Sequence, residues 1–242
     1  MLGNAFLAEY QESLASHCGL IVPCAELERQ LAPYARRGIR VIEDPYESAP
    51  AQHARMRPGE VFRLCWFGNL GKPNFGLLES AVLAVAARLA ARVRTIELAL
   101  VCGPAGERFA TDLQEKTRAV HAGLGLRHVP WSPEAMAVAL AAADIVLLPQ
   151  ETGREWGRAK SHNRAVETLR AGRFAVASPI PAYLELAEFL WVGEDLAAGV
   201  SWALDHPGQA EARIAAGQRY VEQRFAPDII AQRWATVLGL VH

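Results

Sequence analysis

Lys160-Ser161-His162-Asn163-Arg164-Ala165-Val166-Glu167-Thr168-Leu169-Arg170-Ala171-Gly172-Arg173-Phe174-Ala175-Val176-Ala177-Ser178 reads as a helix with one charged face, a glycine stop and a buried strand. At helical spacing Lys160, Asn163, Arg164 and Glu167 share one side, while His162, Val166 and Leu169 share the other and can pack on a sheet. Gly172 supplies the left-handed stop. A loop rich in arginine and glycine leads into the helix, so free backbone N–H groups, the positive end of the helix dipole and Lys160, with Ser161 beside it, converge at one point. Such a point attracts an anion. Glu167, further along the same face, is placed to accept hydrogen bonds from ligand hydroxyls, as a carboxylate does with a ribose diol. Phosphate and ribose together imply a nucleotide.

Outward from this stretch, short apolar strands alternate with amphipathic helices from Val61 onward. The pattern predicts strand Val61 to Phe67, helix Phe75 to Arg92, strand Thr95 to Val101, helix Glu107 to Ala122, strand Leu126 to Val129 and helix Pro133 to Ala143. It continues with strand Asp144 to Pro149, the helix above, strand Phe174 to Ser178, a short helix near Tyr183, strand Phe189 to Val192 and helices to the end. Runs such as Ile145-Val146-Leu147-Leu148 are apolar on both faces, as strands are when helices cover both sides of a sheet. The fold class is therefore α/β, a doubly wound, Rossmann-like parallel sheet.

Before Val61 the chain reads helix Leu7 to Ser16, strand Cys18 to Val22, helix Ala25 to Arg36 and strand Ile39 to Ile42. Asp44-Pro45 and a loose stretch rich in proline, alanine, histidine and arginine follow. Residues 1–47 are expected to form a partial βαβ unit, 48–60 a linker, and 61–242 a complete ligand-binding domain. One βαβ unit cannot bury both its faces, so the first part should lean on the main domain or on something else.

The 242 residues carry a net charge of −1 with both signs interspersed, so no nucleic-acid surface is expected. Cys18, Cys24, Cys65 and Cys102 lack metal-type spacing and read as reduced thiols of a cytoplasmic protein. The most apolar helix, Leu77 to Val93, is interrupted by Glu79, Arg88 and Arg92, so no membrane span is expected. The histidines show no paired metal spacing, and no Ser/His/Asp set follows from separation alone, so catalytic residues are not assigned.

In an open α/β sheet a ligand lies beyond the carboxyl ends of the strands. Four loops fall there. Gly68-Asn69-Leu70-Gly71-Lys72-Pro73-Asn74 is either a plain turn or a phosphate loop, with Gly68, Asn69 and Lys72 as its candidates; it lacks the Gly-x-Gly-x-x-Gly pattern of dinucleotide sites. Cys102 to Gly106 reads as a turn that starts a helix. In Val129-Pro130-Trp131-Ser132-Pro133-Glu134, Trp131 is either a stacking platform for a base or a packing residue, and Ser132 is an N-cap. Gln150 to Ala159 reads as a flexible binding loop whose Arg158 joins Lys160 in facing phosphate.

The order of these elements, with the charged helix and its Glu167, resembles the C-terminal, donor-binding half of GT-B glycosyltransferases, especially the retaining group whose helix carries a glutamate in this place. The resemblance covers about residues 14 to 240 and lies in order and pattern more than in any one motif. It implies a nucleotide-diphosphate sugar as donor, no further required cofactor or metal, a diphosphate facing Lys72, Arg158 and Lys160, a ribose on Glu167, and a base near Trp131. It also implies that residues 1–47 end an acceptor-type domain. On that basis Met1 falls inside a two-domain architecture, and the chain is a fragment, a natural half-enzyme, or one that works with a partner chain or as a homodimer. Transfer would then need an acceptor held by the missing or partner domain. One departure stands out: retaining members often carry a second glutamate eight positions earlier, and here that position is Ala159, with Glu151 and Glu155 as the loop's other carboxylates. The alternative is a non-catalytic nucleotide or nucleotide-sugar binding module.

Overall fold

The computed structural model describes residues 13, 19–50, 52, 60–69 and 72–240, with 72–74 described in backbone only. The helix expected at Leu7 to Ser16, apart from Ser13, and most of the expected linker lie outside the described residues.

The first described unit is a short parallel pair, β1 (Leu20–Val22) and β2 (Ile39–Val41), crossed by α1 (Ala25–Leu31), with Leu20 beside Ile39 and Val22 beside Val41. From there the chain builds β3 (Val61–Phe67), α2 (Lys72–Leu89), β4 (Thr95–Cys102), α3 (Ala105–Arg118), β5 (Leu124–Pro130) and α4 (Pro133–Ala142). It returns through β6 (Ile145–Leu148), α5 (Glu155–Arg158), α6 (Asn163–Arg170), β7 (Phe174–Ala177), α7 (Pro181–Leu184) and β8 (Trp191–Val192). Helices α8 (Leu196–Asp205), α9 (Pro207–Arg224) and α10 (Pro227–Val237) close the chain.

β3 to β8 form one six-stranded parallel sheet in the order β5-β4-β3-β6-β7-β8. Winding outward from β3 to β5, then restarting at β6 on the other side of β3, it is doubly wound as the α/β rhythm requires. β3 shows how both faces are filled: Phe62, Leu64 and Trp66 join one apolar layer with Leu78, Val82 and Ile214. Cys65 and Phe67 join the other with Leu140, Val166 and Leu169. Each such aliphatic or aromatic side chain taken out of water contributes about 1.5–3 kcal/mol, which offsets the entropy of ordering the chain.

The stretch that decided the reading folds as expected at its end. Gly172 has φ +67°, its N–H donates to Leu169 O at 2.9 Å, and the Arg173 N–H donates to Thr168 O at 3.1 Å, a closed C-terminal cap. Its start differs: α6 begins at Asn163, so Lys160 and Ser161 belong to the preceding loop. Several other bounds move. α2 begins at Lys72 rather than Phe75, and β8 holds only Trp191 and Val192, with Phe189 and Leu190 buried in the turn before it.

The small unit leans on the main sheet through buried carboxylates. Glu43, 5% exposed, accepts hydrogen bonds from Arg224 Nη2 at 2.6 Å and from Arg233 Nη1, which anchors α9 and α10 to the segment after β2. Burial pushes the Glu43 carboxyl up, but its own backbone hydrogen bond and the charges of Arg224 and Arg233 outweigh this and hold it below the usual carboxylate range. Glu26 on α1 receives Arg29 Nε at 2.8 Å and Gln30 Nε2 at 3.0 Å, bonds that lower its pKa to about 2. Among the described residues no helix is long and apolar enough to cross a membrane. Cys24, Cys65 and Cys102 are free, buried thiols, and burial pushes that of Cys65 up to about 12.

Candidate functional site

The strand order reverses between β3 and β6, and a crevice opens there at the carboxyl ends of the strands. A cleft of about 190 Å³ occupies this place. Gly68 and Asn69, just past β3, form one wall; Gln150, just past β6, lies between; Lys160, Ser161 and Asn163 form the other wall. Arg164 and Tyr183 complete it.

Local rules position each wall. The Gly68 N–H donates to Val101 O at 3.1 Å, and the residue's φ of +145° is open only to glycine at low cost. Gln150 is held by its N–H bond to the buried Ser178 hydroxyl at 3.0 Å, which ties the ends of β6 and β7 together. α6 has His162 at its N-cap without a side-chain cap, and its first intrahelical amide is that of Val166, which donates to His162 O at 3.0 Å. The amides of residues 163–165 therefore have no partner within the helix, as at any helix start. The His162 ring is buried and turned from water, with Nε2 3.0 Å from Glu185 Oε2. Lys160 is exposed, and its ammonium sits 5.8 Å from the centre of the Trp156 ring.

Of the nine residues selected from sequence, five meet at this cleft: Gly68, Asn69, Lys160, Ser161 and Asn163. The other four lie elsewhere. Lys72 starts α2 instead of standing in a loop, its side chain being outside the description. Arg158 closes the short helix α5 and faces Glu26 at 3.7 Å. The reason is electrostatic: the buried Glu26 carboxylate, already bonded to Arg29, attracts Arg158 as a second cation, and the loop of Gln150 to Ala159 docks on α1 rather than remaining a free binding loop. Gln30 Nε2 donates to Glu155 O at 3.0 Å and Cys24 Sγ to Ala159 O at 3.5 Å across the same seam.

Glu167 is 3% exposed, and both its oxygens are taken by this chain: the Glu47 N–H donates to Oε1 at 2.6 Å and the Ser48 N–H to Oε2 at 3.1 Å. Next to it Arg170 lies over the Tyr46 ring at 4.3 Å. A ribose reaches this carboxylate only by displacing the backbone that now holds it.

Trp131 lies on a separate and larger recess of about 960 Å³ between α3 and β5, where it is 55% exposed. The loops after β4 and β5 are stitched there, with the Trp131 backbone N–H donating to Cys102 O at 3.1 Å and the His128 ring nitrogen Nε2 3.1 Å from both Cys102 O and Gly103 O. Those two carbonyls can only accept, so this nitrogen carries the proton. Ser132 acts as the N-cap expected of it, its Oγ accepting from the Ala135 N–H at 3.0 Å.

Three cleft residues were absent from the sequence selection. Arg164 had a signal, since it shares the charged face of α6 with Asn163. Gln150 had a weaker one, as a polar residue just beyond the Ile145-Val146-Leu147-Leu148 run. Tyr183 had none, because only the fold brings α7 beside the start of α6.

No family model and no curated protein matches the sequence. Solved structures do. The chain is similar to Anabaena Alr3699/HepE in complex with UDP and glucose, with TM-score 0.73, 15% identity, and 99% of this chain and 68% of that one covered. Against a point mutant of S. aureus TarM in complex with fondaparinux, alpha-GlcNAc-glycerol and UDP, the TM-score is 0.69 at 12% identity, covering 97% and 48%. Against the E. coli trehalose-6-phosphate structure bound with UDP-2-fluoro glucose it is 0.66 at 11% identity, covering 98% and 64%. The chain thus spans about half to two thirds of the length of these proteins. The fold is that of the GT-B glycosyltransferases.

Proposed function

We propose that this protein binds a nucleoside-diphosphate sugar at the carboxyl edge of its sheet and serves glycosyl transfer to an acceptor held by a second body, in the same polypeptide or on a partner. One observation carries the reading: five sequence-selected residues converge on a cleft at the point where the strand order reverses. UDP or a UDP sugar in structures of the same fold supports a nucleotide there.

In this reading the diphosphate lies at the cleft, with Lys160 and the amides at the start of α6 facing its charge, and Asn69, Ser161 and Asn163 supplying neutral hydrogen bonds. These groups stabilise negative charge as it develops on the departing diphosphate, which is an electrostatic contribution to catalysis. The acceptor comes from the second body, so residues 61–242 bind donor without arranging the attack.

A second reading, a binding module without transfer, is favoured by two features of the same region. Ala159 stands where the retaining enzymes that the chain resembles often carry a second glutamate, and the Glu167 carboxylate is engaged by residues 47 and 48.

Thermal unfolding with UDP, GDP, ADP, TDP and their sugar derivatives tests the common part, because a ligand at a hundred times its Kd adds about 2.7 kcal/mol to the folded state. Stabilisation by one nucleoside diphosphate and its sugar supports the site and names the base. Absence of any stabilisation refutes both readings. Release of sugar from the stabilising donor, measured with the second body supplied, separates the enzyme from the module.

A further inference from the structure

Arg164 carries a charge that nothing on the described chain neutralises. Its half-buried side chain leaves α6 toward the end of β3, where Nη1 donates to the Phe67 carbonyl at 3.2 Å. The guanidinium carbon lies 5.9 Å from the centre of the Trp66 ring. Gly68 completes this seat, since a Cβ there would stand 3.2 Å from Arg164 Nη1 and 3.6 Å from its Cδ. Arg158, Arg170, Arg224 and Arg233 each meet a carboxylate, whereas Arg164 makes no ion pair among the described residues.

A guanidinium stays protonated and offers five N–H donors in a rigid fork, of which one is spent, on Phe67, among the described residues. Withdrawing that charge partly from water without a counter-ion costs free energy unless a ligand supplies the anion. The side chain lines the cleft at the strand-order switch. Of the cations expected at the phosphates from sequence whose side chains are described, Arg158 faces Glu26 and Lys160 lines the cleft.

We propose that Arg164 is the fork that grips the phosphoryl oxygens of the ligand, from the helix side, with Lys160 as a mobile second charge. This rests on the nucleotide reading of the cleft and deepens it. The protein would then recognise its ligand first as a diphosphate, and the seat formed by Phe67 and Gly68 would set the register of the phosphates against the sheet.

The test is calorimetric titration of the wild-type protein, Arg164→Gln and Arg164→Lys with inorganic pyrophosphate and with UDP, GDP, ADP and TDP, each beside its nucleoside. Arg164→Gln should lose at least about tenfold in affinity for pyrophosphate and for the preferred diphosphate, as when a charged hydrogen bond is removed. Arg164→Lys should fall between, and nucleoside affinity should not move. Equal diphosphate affinity in the wild type and Arg164→Gln overturns the proposal and leaves the nucleotide reading standing. Pyrophosphate binding that depends on Arg164, with no nucleotide bound, upholds the anion seat and overturns the nucleotide reading; no binding of any anion overturns both. If Arg164→Gln fails to fold, Arg164→Lys carries the comparison, because its ammonium can still reach the Phe67 carbonyl while the fork is lost.

Discussion

The Glu47 backbone N–H donates to Glu167 Oε1 at 2.6 Å, so the segment that follows β2 is fastened to the helix bordering the cleft. Ser48 takes the other oxygen at 3.1 Å. Glu167→Ala would leave two amides of residues 47 and 48 without their acceptor, at a cost of about 1–3 kcal/mol. The expected result is a melting temperature lower by about 2–4 °C for each kcal/mol, in a chain of this size. Trypsin cleavage after Arg40 should also quicken. An unchanged melting curve would show that this fastening carries no weight in solution.

Gly68→Ala should weaken nucleoside-diphosphate binding by about tenfold while leaving the fold intact, because it combines a φ of +145° with contact on the Arg164 side chain. Titration with the preferred diphosphate and a far-ultraviolet circular dichroism spectrum check the two halves of this statement. Gly103, whose added Cβ meets nothing within 4 Å, provides the control: Gly103→Ala should bind normally.

Two basic residues near the same loop are expected to part company. Lys160→Ala should reduce diphosphate affinity severalfold, since Lys160 lines the cleft. Arg158→Ala should leave affinity unchanged and instead lower thermal stability slightly, since its partner is Glu26. Reversed outcomes would place the phosphate site on the α5 side of the loop.

Stability should fall with acid through the docking carboxylates. Glu26, with a pKa of about 2, and Glu43, held below its usual range, both have folded values beneath the unfolded value of 4.5. Each therefore contributes stability that is present above about pH 4.5 and is lost as pH falls through the folded value. Melting temperatures measured from pH 7 to pH 3 should decline below pH 5, and Glu26→Gln should flatten the slope. A slope unchanged in both Glu26→Gln and Glu43→Gln would refute the assignment.

Much of the fold was legible because period and composition report burial directly. The run Ile145-Val146-Leu147-Leu148 is fully buried as its apolar character requires, Gly172 takes the positive φ that ends α6, and Ser132 caps α4. Element ends were less legible. A helix start depends on which N–H groups find partners, and neither Lys72 nor Asn163 advertises this in its neighbours.

The sequence by itself determined the doubly wound sheet, the charged face of α6 and five of the residues that surround the cleft. These follow from short-range rules: alternation, helical spacing and turn chemistry act over a few residues. Tertiary structure alone decided the distant partners of Arg158 and Glu167. Arg158 lies 132 positions from Glu26, and Glu167 lies 120 from Glu47 and 119 from Ser48. A charged side chain on a long stem takes whichever counter-charge or backbone group the fold brings within a few ångströms, and spacing along the chain holds no record of that choice. Arg164 is the converse case, a cation for which the fold supplies a carbonyl, a ring and a glycine, but no carboxylate among the described residues.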